Sequence, residues 1–170
     1  MKQIAIFASM LMLVIACGNG SGKSESNKVS SDIEVYKASH NEARPIVEVY
    51  FRVAEALVAS DLDQANHFAM EYTDLLTDPS FDNYKEVKNV VKDFAEARSL
   101  EDKRVVFSRL SQEVYHLVKN GNLPKGELFL MHCPMAFDNK GANWISFRKE
   151  VLNPYFGDEM LGCGSIVEEL

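Results

Sequence analysis

Two cysteines near the end of the chain, Cys133 and Cys163, lie among residues that could either bind a soft metal or surround a disulfide. Methionines accompany both, because Met135 follows Cys133 closely and Met160 precedes Cys163. His132 is the direct neighbour of Cys133. Thiolate and thioether are soft donors that select Cu(I) over Mg²⁺ or Ca²⁺, and imidazole can join them. These five residues are therefore the candidate metal ligands.

The ligand types favour copper among the possible metals. A linear or trigonal Cu(I) ion is satisfied by two or three soft donors. Zinc sites usually take four ligands from Cys, His and carboxylate groups, and this segment offers only three of them readily. Cu(I) is the first expectation, with Ag(I) or Zn(II) as other options. Pro134 restricts the backbone between the first thiol and Met135, and turn residues at Gly141 and Gly157 could fold the second half of the segment back.

A disulfide is the alternative interpretation of the same two cysteines. An even pair of thiols in an exported protein forms a disulfide by default. Closing a loop of this length would stabilise the fold by about 3–4 kcal/mol in the chain-entropy model. Met135 and Met160 would then be core fillers. The protein would be a non-metal interaction or adaptor protein that works through its helical surface, and the residues alone leave this alternative open.

The N-terminus has the form of an export signal. Lys2 precedes an apolar run, Ile4 to Ile15, which is shorter than the roughly 20 residues of a spanning helix. The following "VIAC" resembles a bacterial lipobox, which implies a signal peptide over residues 1–16 and an acylated Cys17. Several acyl chains would anchor the protein stably to a membrane. Since Gly18 and not aspartate follows, we expect the periplasmic face of the outer membrane, while the inner membrane and the cell surface stay open.

The residues after the lipobox predict a tether and then one folded domain. Residues 17–31 contain the lipid-bearing cysteine and a Gly-, Ser- and Asn-rich stretch with almost nothing to bury. The net charge of the chain is −7, and lysines and arginines do not cluster. Phosphate contacts need such clusters, so nucleic acid is excluded as a partner.

Residues 32–124 predict an antiparallel bundle of about four helices. Apolar residues recur at gaps of three and four, and the connections are short. Expected helix starts are Pro45, Asp61, Asp78 and Ser99 with Asp102, and Gly121 and Pro124 end the last helix. The apolar stripe of that fourth helix is predicted to comprise Val106, Leu110, Val114, Leu117 and Val118.

Residues 125–170 predict a short strand, "ELFLMHC", and a turn-rich segment that packs on the bundle within the same domain. The fold class is therefore mostly α with a small C-terminal addition. His67 and Met70 are expected at the surface, and His40 and His116 have no soft partners nearby in sequence. We expect no enzyme, because the chain has no phosphate loop, zinc-protease motif or nucleophile elbow. The aromatic residues of the segment are expected to pack: Trp144, Phe147, Tyr155 and Phe156.

The stretch "HCPMAFDNKGANWISFRKEVLNPYFGDEMLGCGSI" resembles the end of an uncharacterised periplasmic helical domain of Gram-negative bacteria. That domain occurs alone as a lipoprotein or fused to the membrane-fusion component of CusB-like heavy-metal efflux systems. The resemblance is close over the last forty residues and loose over the helices. It implies heavy-metal handling, with copper first, and an efflux membrane-fusion protein as a partner. The expected function is a lipid-anchored periplasmic protein that buffers Cu(I) or passes it to an efflux system.

Overall fold

The computed structural model describes residues 43–81, 83–120 and 128–170. The predicted signal peptide, the lipidated Cys17 and the tether lie outside the described residues. His40 and the predicted helix end at Gly121 and Pro124 also lie outside them. Within the described residues, no helix is long and apolar enough to cross a membrane.

The predicted mostly α fold is confirmed, with a helical bundle that precedes a small sheet. Consecutive helices pack against one another, and α4 also packs against the second strand of the sheet. Connections of a few residues join them, which makes neighbouring helices antiparallel. The helices are α1 Arg44–Val58, α2 Leu62–Thr77, α3 Lys85–Glu96 and α4 Leu100–Asn120.

Three of the predicted helix starts are confirmed, and one is wrong. Pro45 lies in the first turn of α1. The Asp61 carboxylate accepts a hydrogen bond from the Gln64 N–H at 2.9 Å and caps α2. The Ser99 hydroxyl accepts from the Asp102 N–H at 3.0 Å and caps α4 in the same way. Asp78, however, accepts from the Ser80 N–H and begins only a single 3₁₀ turn, Pro79–Phe81. Because this turn intervenes, α3 starts several residues later than predicted.

The fourth helix buries most of the predicted stripe, since Leu110, Val114 and Val118 are buried, but it departs from the prediction at several positions. Phe107 and Lys103 are fully buried, whereas Val106 and Leu117 are only half-buried. The Lys103 Nζ donates to the Phe94 carbonyl at 2.8 Å and lies 4.4 Å from the centre of the Phe94 ring. This contact explains how an ammonium group is tolerated there, and burial lowers the pKa of Lys103.

A three-stranded antiparallel sheet completes the chain, in the order β2-β1-β3. The central strand pairs with the other two, so the strands before and after the loop of residues 147–164 both lie against it. The pairing with the third strand shifts register between Leu130 and Met131. The strands are β1 Phe129–Cys133, β2 Ala142–Ser146 and β3 Ser165–Glu169, with a short helical turn, α5 Ala136–Asn139, between the first two.

A buried tyrosine fixes the sheet to the bundle. The Tyr50 hydroxyl, on α1, accepts a hydrogen bond from the Ile145 N–H of β2 at 3.0 Å. The same hydroxyl shares a hydrogen bond of 2.8 Å with the Ser111 hydroxyl of α4. β2 is an edge strand, and an edge-strand N–H that is buried without a partner would be costly. Tyr50 therefore ties α1, α4 and the sheet edge at one point, and burial raises its pKa.

Candidate dithiol site

The two thiols of the C-terminal segment meet in the fold. Cys133 is the last residue of β1, and Cys163 lies just before β3. Their sulfur atoms are 3.2 Å apart, and both are free thiols. Because β1 and β3 are neighbours in the sheet, strand pairing brings together two cysteines that are 30 positions apart in the sequence.

A left-handed turn follows the first thiol and leads from β1 into β2. Phe137, Asp138 and Asn139 have φ values of 54°, 58° and 63°. Left-handed backbone costs about 1–2 kcal/mol per non-glycine residue, although Asp and Asn tolerate it better than most. The turn closes when the Gly141 N–H donates to the Ala136 carbonyl at 3.0 Å. Its strain is therefore held by the sheet on one side and by the packing of Phe137 against Tyr155 on the other.

Asn153 holds the loop that carries the second thiol. Its side-chain amide donates to the Cys163 carbonyl at 2.7 Å, and its backbone N–H donates to the Leu161 carbonyl at 2.9 Å. The side-chain oxygen accepts from the Tyr155 N–H at 2.8 Å. Asn153 is fully buried, so these bonds are shielded from water. One side chain thus spans the loop and sets the position of the Cys163 backbone.

Arg104 ties the same loop to the helical bundle. Its Nε donates to the Pro154 carbonyl at 3.0 Å, and its Nη2 donates to the Ser60 hydroxyl at 3.0 Å. A side chain at Gly157 would clash with this arrangement, because an added Cβ would lie 2.4 Å from the Ser60 hydroxyl. The loop therefore approaches the end of α1 closely only with glycine at this position.

Gly164 allows the second thiol to approach the sheet. An added Cβ there would lie 2.8 Å from Trp144 Cη2 and 2.9 Å from the His132 carbonyl oxygen, at a φ of 148°. Gly162, on the other side of Cys163, differs, since an added Cβ would have nothing within 4 Å. Cys163 is thus packed on one side and open on the other.

Aromatic rings pack beside the site, and the packing predicted for Trp144 and Tyr155 is confirmed. Tyr155 lies at ring-centre distances of 6.0 Å from Trp144, 5.4 Å from Phe137 and 5.9 Å from Phe107. Its hydroxyl donates to the Asn143 carbonyl. Burial raises the pKa of Tyr155, and the nearby thiol of Cys133 adds to this effect. The phenol therefore stays neutral beside the sulfurs.

The Cys133 thiol affects the protonation of Cys163. The pKa of Cys163 is raised, first by its hydrogen bond with Cys133 and then by partial desolvation. The Met135 N–H, which donates to the Cys163 sulfur, acts in the opposite direction. Because its pKa is raised, Cys163 is protonated at neutral pH, and binding of a metal to its thiolate would release a proton.

The structure brings together some of the predicted ligands but not all of them. Met135 begins the turn beside the two thiols and is 46% exposed. Met160 is half-buried, and its carbonyl accepts a hydrogen bond from the Cys163 N–H at 3.0 Å. His132 Nδ1 lies 2.7 Å from Asn143 Oδ1, on the face of β1 opposite to Cys133. In the described part of the chain, no three His, Cys, Asp or Glu side chains are grouped as metal ligands. The geometry therefore brings two thiols together, with the backbones of Met135 and Met160 beside Cys163.

Asn153 and Arg104 are positioning residues that sequence reasoning missed. The sequence predicts a turn near Gly157, and within that turn the Tyr155 N–H donates to the Asn153 side-chain oxygen. The second bond of that side chain, to Cys163, has no local sequence signal. His67 and Met70 are exposed on α2, as predicted, and His116 is exposed on α4.

Comparison with known families adds a match in the helical part. The model of a family described as proteins of unknown function, DUF3347, matches residues 46–126. This range covers the bundle from α1 to beyond α4 and ends before β1. No curated protein and no solved structure matches the chain. The bundle is thus similar to an uncharacterised family, and the dithiol site lies outside the matched range.

Proposed function

We propose that this protein binds Cu(I) through Cys133 and Cys163 and either buffers it or passes it to an efflux system. The observation that supports the proposal is the 3.2 Å approach of two free thiols at the end of the central strand of the sheet. Two thiolates are a sufficient set for a cuprous ion, and they discriminate against Mg²⁺ and Ca²⁺.

The spacing of the sulfurs is compatible with a small opening of the site. Two sulfurs that bind one metal at about 2.3 Å, the length found at zinc sites, lie about 4.0 Å apart around a trigonal ion. The observed separation is 3.2 Å, which is shorter than this value. A shift of the Cys163 loop by less than an ångström, on its open Gly162 side, would admit the ion. Met135 or Met160 would supply a third donor, whereas His132 would first have to leave Asn143.

The site would lie in the periplasm, on a protein attached to the outer membrane through Cys17. The "VIAC" motif and the Gly- and Ser-rich tether support this part of the proposal. Metabolic labelling with a palmitate analogue tests it, because Cys17→Ala would lose the label if the cysteine is acylated. The resemblance of the last forty residues to domains of heavy-metal efflux proteins supports an efflux membrane-fusion protein as the recipient of the copper.

A second candidate function is a periplasmic adaptor protein in which Cys133 and Cys163 form a structural disulfide. The same sulfur separation favours it, since a disulfide of about 2.05 Å needs a closure of only about 1.2 Å. In this case the thiols would not be available to a metal.

A Cu(I) titration separates these two functions. We would titrate reduced, anaerobic protein that carries Cys17→Ser against a coloured Cu(I) chelator. The proposal expects one Cu(I) per chain, with affinity reduced by at least about 100-fold in Cys133→Ser or Cys163→Ser, because each removes one of two thiolate ligands. Met135→Leu and Met160→Leu show which thioether contributes. Met70→Leu, which changes an exposed methionine of α2, is the matched control.

Two results of this titration would contradict the copper function. If the reduced protein does not compete with the chelator, or if both serine variants bind as tightly as the parent, the copper function is wrong. A stable disulfide in the protein as purified from the periplasm would then support the adaptor function.

A further inference from the structure

The two thiols differ in their access to solvent. Cys133 is fully buried, on the face of β1 that packs towards the bundle. Cys163 is half-buried in the loop before β3, and the neighbouring Gly162 faces open space. A reagent can therefore reach Cys163 without unfolding the sheet, whereas Cys133 is shielded.

We propose that the pair is a thiol–disulfide exchange site, in which Cys163 forms a mixed disulfide with an incoming disulfide and Cys133 then resolves it. Oxidation would remove both thiolate ligands of the proposed copper site at once. This consequence for the metal rests on the proposed copper function. The exchange chemistry itself does not depend on copper.

The oxidant is a disulfide, and the exchange balances in two steps. The Cys163 thiolate attacks one sulfur of the incoming disulfide, whose S–S bond breaks and releases the first thiol. The Cys133 thiolate then attacks the Cys163 sulfur, which breaks the mixed disulfide and releases the second thiol. The two protons lost by the cysteines are taken up by the two released thiolates. The protein dithiol is oxidised by two electrons, and the incoming disulfide is reduced to two thiols.

The geometry favours rapid resolution by Cys133. Its sulfur already lies 3.2 Å from that of Cys163, inside ordinary van der Waals contact. The Asn153 amide holds the Cys163 carbonyl, so the second cysteine stays beside the first after it has reacted. Strand pairing fixes the Cys133 backbone opposite Ala142. A mixed disulfide at Cys163 would therefore have its resolving thiol in place.

The open side of Cys163 indicates what can reach it. Gly162 has no neighbours around its missing side chain, and Leu161 and Met135 beside the site are partly exposed. This opening admits an S–S bond, which can belong to a small disulfide or to an exposed disulfide of a protein. Glutathione disulfide is the small probe, and an oxidised dithiol oxidoreductase is the protein probe.

The experiment compares the two single-cysteine forms in a Cys17→Ser background. Reduced Cys133→Ser and Cys163→Ser proteins are incubated with glutathione disulfide, and intact mass is followed with time. Cys133→Ser should accumulate a mixed disulfide at Cys163, while the remaining thiol of Cys163→Ser should react at least about tenfold more slowly because it is buried. The protein with both thiols should form an internal disulfide without accumulating the mixed species.

Two controls keep the result interpretable. In denaturant both single-cysteine forms should react at the same rate, which shows that the difference arises from the fold. Thermal unfolding of both variants shows whether either one reacts because it is unfolded. Equal native rates in two folded variants, or faster reaction of Cys133, would overturn the proposal. Persistent glutathione on the dithiol protein would overturn it as well.

Experiments with Cu(I) and with the two disulfide probes also separate this proposal from the copper function. If Cu(I) binds, preloading should block the reaction of Cys163 with glutathione disulfide. If the protein binds no Cu(I) but still shows the expected order of exchange, the copper function fails and the exchange site remains. Reaction with the protein probe but not with glutathione disulfide would identify the oxidant as a protein, and reaction with neither would overturn the exchange site.

Discussion

The helical bundle and the C-terminal segment are built by different means. The bundle buries apolar side chains on amphipathic helices, and several of its largest residues, such as Phe94 and Leu110, are fully enclosed. The segment from 128 to 170 relies on a buried amide at Asn153, a left-handed turn and glycines in tight contact. Apolar packing tolerates exchange among residues of similar volume, whereas such polar and backbone contacts do not.

This difference assigns separate roles to the two regions. The bundle supplies most of the apolar core, and the segment adds residues such as Trp144 and Ile145 to that core and also sets the position of two sulfur atoms. Substitutions in the bundle should therefore change stability without changing thiol chemistry. Substitutions beside the thiols should change thiol chemistry even where the protein remains folded.

The largest loss of stability is expected in the bundle. Leu110→Ala removes a fully buried side chain and should lower the free energy of unfolding by about 2–5 kcal/mol. The equilibrium between the Cys133–Cys163 dithiol and its disulfide, measured in a glutathione redox buffer where the variant is folded, should not change. Urea denaturation measures the first quantity. A shift of the redox equilibrium as large as the loss of stability would break the division between the two regions.

The two glycines around Cys163 give the next test. Gly164→Ala should destabilise the fold by about 1–3 kcal/mol, because its Cβ meets Trp144 and the His132 carbonyl at a φ of 148°. It should also lower the equilibrium constant for disulfide formation by about tenfold or more, since it displaces the loop that carries the thiol.

Gly162→Ala is the matched control, because an added Cβ meets nothing within 4 Å. It should leave both stability and the redox equilibrium close to those of the parent. If the two substitutions have the same effect, close packing on one side of Cys163 does not position the sulfur.

The helices could be predicted from sequence because their signals are local. Apolar residues at gaps of three and four locate each helix, and Asp61 and Ser99 mark two starts through side-chain bonds to nearby N–H groups. The predicted start of α3 is wrong because Asp78 forms an equally local hydrogen bond within a 3₁₀ turn. The burial of Lys103 could not be predicted, since its partner is a carbonyl on another helix.

The site could be predicted only as a set of residue types. The sequence contains Cys133 and Cys163, but their contact depends on β3 pairing with β1, which is a long-range event. His132 was included because it is adjacent in sequence, yet strand alternation directs it to Asn143 on the other face. Asn153 was missed as a positioning residue because its bond to Cys163 crosses the loop.

The smallest effect is expected where the two regions meet at the surface. Glu168 of β3 accepts hydrogen bonds from Lys119 at 2.7 Å and from Tyr115 at 3.0 Å, both on α4. The bond from Lys119, and then the one from Tyr115, lowers the pKa of Glu168. A carboxylate whose pKa is lower in the folded state stabilises the fold above its unfolded pKa, which is about 4.3. That stability is lost as the pH falls through the lower, folded pKa.

Glu168→Gln should therefore be slightly less stable than the parent at pH 7. The difference should shrink as the pH falls below about 4.3 and vanish below the folded pKa of Glu168. Urea denaturation at a series of pH values measures this convergence. Glu169→Gln is the control, because Glu169 pairs with Lys149 of the C-terminal segment and not with α4. If only Glu168→Gln converges with the parent in acid, the contact between β3 and α4 has a measurable electrostatic part. If both variants behave alike, the Glu168 contact adds nothing measurable, and apolar packing, the Tyr50 bridge and the Arg104 contacts hold the segment on the bundle.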